Sequence, residues 1–185
     1  MRFADVAKYH TVKYHMATKR QTININNTNN LISQEGCFDL QFRKDVKYNR
    51  PHSPTYYRWK AQFAIADSLE KADLLESIKK VLKCGKVHIG KNQARYSVQS
   101  IEEIKKTLIP YFRRCQLSEV KKKDFELWSK AVEIIYKNKR KFLSAWKKND
   151  LQALLDIQKS IQQYKQKSKN AKWLNEATTM LGLLK

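Results

Sequence analysis

The stretch that decides the fold is Leu31-Ile32-Ser33-Gln34-Glu35-Gly36-Cys37-Phe38. An apolar pair leads to an acidic residue and a glycine, and an alternating segment follows. Glycine suits a helix end and a close approach of backbones. This order therefore predicts one carboxylate that emerges from the end of a helix, beside the first residues of a sheet.

Two segments after this stretch alternate between apolar and polar residues, as half-buried strands do. In residues 36–48 and 56–66 the inward-facing positions are Phe38, Leu40, Phe42, Trp59, Ala61, Phe63 and Ile65. The outward-facing positions are Asp39, Gln41, Arg43, Arg58, Lys60 and Gln62. The pattern predicts an antiparallel pair with one buried face and one polar, cationic face.

A helix over about residues 69–82 and a second hairpin, residues 86–89 and 94–99, come next. The inward-facing residues of the hairpin are Val87, Ile89, Ala94, Tyr96 and Val98, and the outward-facing ones include His88 and Arg95. A further helix opens at Ser100, where Glu103 completes a capping box, and Pro110 bends or ends it. Another helix covers about residues 119–138.

The order of these elements is strand, strand, helix, strand, strand, helix, followed by more helices. It predicts an α+β domain with a four-stranded antiparallel sheet and helices on one face. We divide the chain into a basic, Asn-rich extension (1–30), this domain (31–140) and a helical basic extension (141–185). In the last of these, a stripe of Leu151, Leu154, Leu155, Ile157 and Ile161 predicts a packed helix.

The net charge of +21 in 185 residues favours a polyanionic partner, with nucleic acid first among the candidates. The alternative is a lysine-rich solvated surface. Arginine and glutamine make bidentate contacts to base edges. The sheet residues that we predict to bind nucleic acid are Gln41, Arg43, Arg58, Lys60, Gln62, His88 and Arg95.

The first thirty residues are basic and poor in acids. Their cations Arg2, Lys8, Lys13, Lys19 and Arg20 are also predicted to bind nucleic acid. Such a segment resembles an organellar transit peptide, and equally a basic arm that folds on nucleic acid. Both interpretations stay open.

Three cysteines without zinc-type spacing predict a reducing compartment and no disulfide, with Cys37 and Cys84 as small core residues. No apolar run reaches the roughly 18 residues that a membrane span needs, so we expect no membrane partner.

Residues 31–140 resemble a LAGLIDADG homing endonuclease, a DNA-cleaving family that also includes RNA-splicing maturases. The family pattern G-F-I-D-G-E-G-C-F is matched at Ile32, Glu35, Gly36, Cys37 and Phe38. Later matches, in order, lie in residues 74–87, 94–96, 109–112 and 121–125. The resemblance implies a curved sheet whose concave face lies in the DNA major groove.

The resemblance also implies a chemistry. Family members cut DNA with two acidic residues, one from each of two motif helices, which hold divalent metal at the scissile phosphates. Glu35 matches the acidic residue, and Lys121 matches a basic residue that stabilises charge near the phosphate. Because this chain has one motif, cleavage would require a homodimer and Mg²⁺.

Three positions depart from the family pattern. Asn30 and Gln34 replace small residues through which the motif helices pack, and Ser33 replaces an acid. Larger polar side chains would hold the two helices apart and would need partners once buried.

The departures favour a non-cleaving, RNA-binding protein without a cofactor, with Glu35 and Lys121 as vestiges. It would act in a large ribonucleoprotein such as an organellar ribosome of the mitochondrial matrix, or as a splicing cofactor. The alternative is an active homodimeric DNA homing endonuclease or intron maturase that uses Mg²⁺. A third hypothesis is DNA binding without cleavage.

Overall fold

The computed structural model describes residues 32–46, 48, 51–52, 54–164 and 174–183. Residues 32–35 are helical. The strands are β1 (Cys37–Val46), β2 (Thr55–Asp67), β3 (Lys86–Ile89) and β4 (Ala94–Val98). The helices are α1 (Ala72–Leu82, after a 3-10 turn at Leu69–Lys71), α2 (three consecutive segments, Ile101–Glu103, Ile104–Leu108 and Ile109–Arg114), α3 (Glu119–Lys137), α4 (Lys148–Tyr164) and α5 (Leu174–Leu183).

The four strands form one antiparallel sheet in the order β1-β2-β4-β3. The register sets Phe38 opposite Phe63, and Phe63 opposite Val98, so that apolar positions of three strands share one face. Helices α1 and α3 pack against the sheet. The predicted α+β fold with a four-stranded antiparallel sheet is therefore confirmed.

An aromatic cluster joins the sheet to the helices. The ring of Phe38 lies 4.9 Å from that of Phe112 and 5.1 Å from that of Trp128, and Phe63 lies 5.0 Å from Phe112. Phe125 completes the group at 5.5 Å from Phe38. Each such pair adds about 0.5–1.5 kcal/mol beyond its buried area, so Phe38 holds β1 to two helices at once.

Helix α2 begins with the cap that the sequence predicts, and it continues past Pro110. The Ser100 hydroxyl accepts a hydrogen bond from the Glu103 backbone N–H at 3.3 Å, as the capping box predicts. Around Pro110, α2 widens into the π-helical segment Ile104–Leu108, and the Ile109 N–H bonds to the Ile104 carbonyl. A wider turn accommodates the missing N–H of Pro110, so the helix continues.

Two predictions of burial are wrong. Ile89 is 63% exposed, because it ends a four-residue strand at the outer edge of the sheet, and Val87 on the same strand is only partly buried. Cys37 is exposed, because at the first position of β1 it points to the face opposite Phe38. Cys84 is buried as predicted, and its carbonyl accepts a hydrogen bond from the Tyr96 hydroxyl at 3.0 Å.

The core continues into the carboxy-terminal part of the chain. The predicted stripe of α4 is buried, and Leu151, Leu154 and Leu155 belong to the same apolar cluster as Phe38. Ala177 of α5 adds to this cluster. Within the described ranges, every helix is too short or too polar to cross a membrane.

Gly36 lies at a very close approach of a helix end and the sheet. Its N–H donates to the Ile32 carbonyl at 3.2 Å. A Cβ at this position would lie 2.5 Å from that carbonyl oxygen and 2.5 Å from the Phe63 ring. The helix end, β1 and β2 therefore meet at a point where only glycine fits.

We expect Gly36→Ala to lower the free energy of unfolding by about 1–3 kcal/mol, since the added methyl group displaces the Phe63 ring or the Ile32 backbone. Urea denaturation measures this change. Gly182→Ala is the matched control: nothing lies within 4 Å of its Cβ position in α5, so the helix gains up to about 1 kcal/mol. Equal effects of the two substitutions would contradict the close approach at Gly36.

Candidate nucleic-acid interface

The polar face of the sheet, opposite the helices, collects the predicted binding residues of all four strands. Gln41 lies opposite Lys60, Arg43 opposite Arg58, and His88 opposite Arg95. Period-two alternation carries these side chains to one face, because their neighbours Phe42, Trp59 and Tyr96 are buried on the other. We call this surface the polar sheet face; its residues are Gln41, Arg43, Arg58, Lys60, Gln62, His88 and Arg95.

Like charges stand next to each other at the centre of the polar sheet face. Arg43 and Arg58 are direct cross-strand partners, an arrangement that destabilises a sheet. Asp45 moderates the repulsion: its carboxylate accepts a hydrogen bond from Arg58 Nε and lies 3.9 Å from Arg43 Nη2. One carboxylate therefore serves two guanidinium groups, which leaves a positive excess.

The positive excess affects the pKa of Lys60. Burial of its ammonium group, followed by repulsion from Arg43 and Arg58, lowers the pKa of Lys60 below the usual lysine value. Its Nζ donates a hydrogen bond to Gln99 Oε1 at 2.6 Å. This hydrogen bond holds the ammonium group near Arg43 and Arg58. An added negative charge would be favourable at this position.

Gln62 does not fit the prediction that it is an outward, solvent-facing residue. It points to the polar sheet face but is only 8% exposed, because β2 is flanked by β1 on one side and β4 on the other. The site also includes residues that sequence reasoning did not assign to it, namely Asp45 and Gln99. The alternation places both on this face, but only the register shows which cation each one meets.

A second site lies where β1 begins. Glu35 is exposed at the last helical position before Gly36, as predicted. Lys121, in the first turn of α3, donates a hydrogen bond from Nζ to the Gly36 carbonyl. The Ser118 hydroxyl caps this helix, and Trp128 Nε1 bonds to the Asp39 carbonyl at 3.0 Å. The structure therefore brings Glu35 and Lys121 to one place, although 86 positions separate them in the sequence.

The donor set of this second site is small. Glu35 is the carboxylate that the helix end presents, and no group of three or more Asp, Glu, His or Cys residues that could hold a metal exists among the described residues. Hard divalent cations take about six oxygen ligands, with waters or substrate completing a shell that carboxylates begin. The described residues of one chain do not by themselves fit a divalent metal.

The predicted cations of the first thirty residues, Arg2, Lys8, Lys13, Lys19 and Arg20, lie outside the described residues. The same holds for Asn30 and for the lysines at 165–172.

A model of the LAGLIDADG endonuclease family matches residues 29–132, which is more than half of the chain. The match begins just before the Glu35 helix end and covers the whole sheet, α1, α2 and most of α3. This chain belongs to the LAGLIDADG endonuclease family.

Homing endonucleases are among the solved structures that share this fold. The homing endonuclease I-TnaI is 16% identical, with a TM-score of 0.63, and the match covers 84% of this chain and 96% of I-TnaI. I-SmaMI, bound to an uncleaved DNA target in the presence of calcium ions, is 22% identical with a TM-score of 0.63 over 82% of this chain and 47% of its own length. The meganuclease I-AabMI, bound to uncleaved DNA, is 32% identical with a TM-score of 0.54, over 73% of this chain and 43% of its own length.

This chain thus spans about half the length of I-SmaMI and I-AabMI, and it aligns with nearly all of I-TnaI. The search of curated proteins gave no match.

We expect Lys60→Met to leave the folded state as stable as the wild type, or more stable, at pH 7. A lysine whose pKa is lowered on folding costs free energy while it is charged, and the cost disappears as the pH rises through the lysine range. Thermal denaturation at pH 7 and at alkaline pH checks this, since the advantage of the variant should shrink at high pH.

Lys80→Met is the matched control, because it removes one charge from an exposed position of α1, away from Arg43 and Arg58. A loss of stability in Lys60→Met at pH 7 would mean that the hydrogen bond to Gln99 outweighs the repulsion.

Proposed function

We propose that this protein binds RNA through the polar sheet face and does not cleave it, as part of a large ribonucleoprotein such as a mitochondrial ribosome. The observation that carries the proposal is the row of Arg43, Arg58 and Lys60, whose mutual repulsion the fold tolerates. A phosphate chain laid across this row would relieve the repulsion, which Asp45 offsets in part among the residues that the structure describes.

Charge and family both support a nucleic acid as the polyanion. The net charge of +21 far exceeds what the seven residues of the polar sheet face supply, so further phosphate contacts are available around the domain. The relatives I-SmaMI and I-LtrWI are described as bound to target DNA. In our proposal the same fold uses the same face for RNA.

The missing parts of a cutting site support binding without cleavage. The chain carries one motif, and one exposed carboxylate stands at its helix end. Asn30 and Gln34 stand where the family pattern has small residues, which disfavours the close packing of two motif helices. RNA suits a surface that contacts phosphate and ribose, because an A-form helix hides its base edges in a narrow major groove.

A second candidate function, a homodimeric Mg²⁺-dependent DNA endonuclease, has one observation in its favour. Lys121 is fixed at the Gly36 carbonyl, directly beside the exposed Glu35. The family resemblance assigns cleavage to a carboxylate and a cation at these two positions. A second copy would then have to supply the other carboxylate.

RNA affinity should fall steeply with salt, because each neutralised phosphate releases a counterion and adds about 0.9 to the slope for a duplex. Removal of residues 1–20 should flatten that slope by several units if Arg2, Lys8, Lys13, Lys19 and Arg20 contact phosphates. Fluorescence anisotropy with a labelled RNA duplex at several salt concentrations measures both slopes, and a DNA duplex of the same sequence tests the preference for RNA.

Equal slopes for the full chain and the truncated chain would contradict a role of the amino-terminal cations. A negligible slope for the full chain would contradict the proposed function as a whole, and tighter binding of the DNA duplex would contradict its RNA preference.

Incubation of the full chain with plasmid libraries and Mg²⁺ should give no double-strand cuts, with gel electrophoresis as the readout. Glu35→Gln and the control Glu70→Gln, an exposed carboxylate in the turn before α1, should behave like the wild type. Mg²⁺-dependent cutting that Glu35→Gln abolishes and Glu70→Gln preserves would instead establish the endonuclease.

A further inference from the structure

A cavity of about 790 Å³ opens at the edge of the sheet where β2 begins. The start of β2, the loop between α3 and α4 (residues 138–147) and Met180 of α5 enclose it. Its volume falls within the roughly 300–1,000 Å³ that is usual for sites of small organic ligands. We call it the β2-edge cavity.

The walls of the β2-edge cavity are aromatic and its rim is cationic. Tyr56, Tyr57, Phe142 and Trp146 line it together with Arg58, Arg140 and Lys141, and none of its described lining residues is acidic. Flat apolar walls select a planar group, and the cations select negative charge beside that group. A nucleobase with its phosphate has both properties.

Phe142 is 87% exposed, although its loop packs on a large core that could bury an aromatic side chain. The neighbouring Arg140 holds a left-handed conformation, with φ of 66°, that is unfavourable for a residue with a Cβ. Exposed apolar surface and backbone strain in one loop are costs to the free protein. Such costs concentrate where a ligand is bound.

The loop that carries Phe142 is fixed at both ends. Asp150, in the first turn of α4, accepts hydrogen bonds from Asn138 Nδ2 at 2.8 Å and from Lys137 Nζ at 3.3 Å. Trp146 Nε1 donates to the Lys141 carbonyl at 3.4 Å. These contacts tie the end of α3 to the start of α4, so the cavity is formed before any ligand arrives.

The β2-edge cavity is continuous with the polar sheet face. Tyr56 and Arg58 line the cavity, and they occupy the outward-facing positions of β2 opposite Asp45 and Arg43. The guanidinium carbon of Arg58 lies 5.9 Å from the centre of the Tyr56 ring. A strand bound across the polar sheet face would therefore pass the mouth of the cavity.

We propose that the β2-edge cavity binds one unpaired nucleobase of the nucleic acid that crosses the polar sheet face. The base stacks on Phe142 and Tyr56, and the adjoining phosphate meets Arg140 and Arg58. The inference rests on the proposed function, and it adds that the protein prefers nucleic acid with an unpaired base over a continuous duplex.

The test compares a short RNA duplex with the same duplex that carries one bulged 2-aminopurine. The full chain should bind the bulged RNA about 5- to 150-fold more tightly, the range that stacking of one base on an aromatic side chain supports. Binding should also quench the 2-aminopurine fluorescence. Phe142→Ala should abolish both the preference and the quenching, and it should keep the affinity for the plain duplex.

Two further variants sharpen the test. Leu69→Ala removes an exposed apolar side chain just beyond the opposite end of β2 and should keep the preference. Arg140→Gly relieves the left-handed strain, so it should leave the melting temperature unchanged or higher while it weakens the preference for the bulged RNA.

Equal affinity of the full chain for both RNAs, with salt-dependent binding intact, would overturn the base site alone. A parallel loss of affinity for both RNAs in Phe142→Ala would also overturn it. A preference for the bulged RNA that appears only after residues 1–30 are removed would mean that this segment occupies the cavity in the full chain. That outcome would overturn the proposal. Absence of salt-dependent binding to either RNA would overturn the proposed function together with the base site.

Discussion

The close contact at Gly36 is the constraint on which the rest of the domain depends. The Ile32 carbonyl and the Phe63 ring leave no space for a side chain there, and Lys121 bonds to the Gly36 carbonyl from α3. The helix end, β1, β2 and α3 therefore all contact the backbone of Gly36. Because Glu35 directly precedes this glycine, the same contact fixes the end of the helix from which its carboxylate emerges, just before β1.

Burial of one face of the sheet stabilises the fold, and charge repulsion on the other face destabilises it. The aromatic cluster around Phe38 is fully enclosed, whereas Arg43 and Arg58 face each other across two strands with Asp45 as their shared acid. The lowered pKa of Lys60 has the same origin in burial and repulsion. A surface selected for stability alone would alternate its charges. The excess positive charge of Arg43, Arg58 and Lys60 is the physical reason to expect an anionic partner at this face.

The carboxy-terminal helices add a feature that the family match does not include. That match ends at residue 132, and the loop with Arg140, Phe142 and Trp146 lies beyond it. Helix α4 shares the core through Leu151 and Leu154 and anchors the loop through Asp150. Since the loop closes over the start of β2, this part of the chain converts a bare sheet edge into a cavity beside the polar sheet face.

Sequence alone determined the order of the elements along the chain, the buried face, the cap at Ser100 and the residues of the polar sheet face, because these depend on local periodicity and on a family motif. It misplaced Ile89, whose alternation is correct but whose strand lies at an open edge, and Gln62, which neighbouring strands cover. Tertiary structure decided which charges meet, as at Asp45 and Lys60, and it brought Lys121 to Gly36. It also assembled the β2-edge cavity from three distant segments, since no local pattern encodes contacts between residues so far apart in the chain.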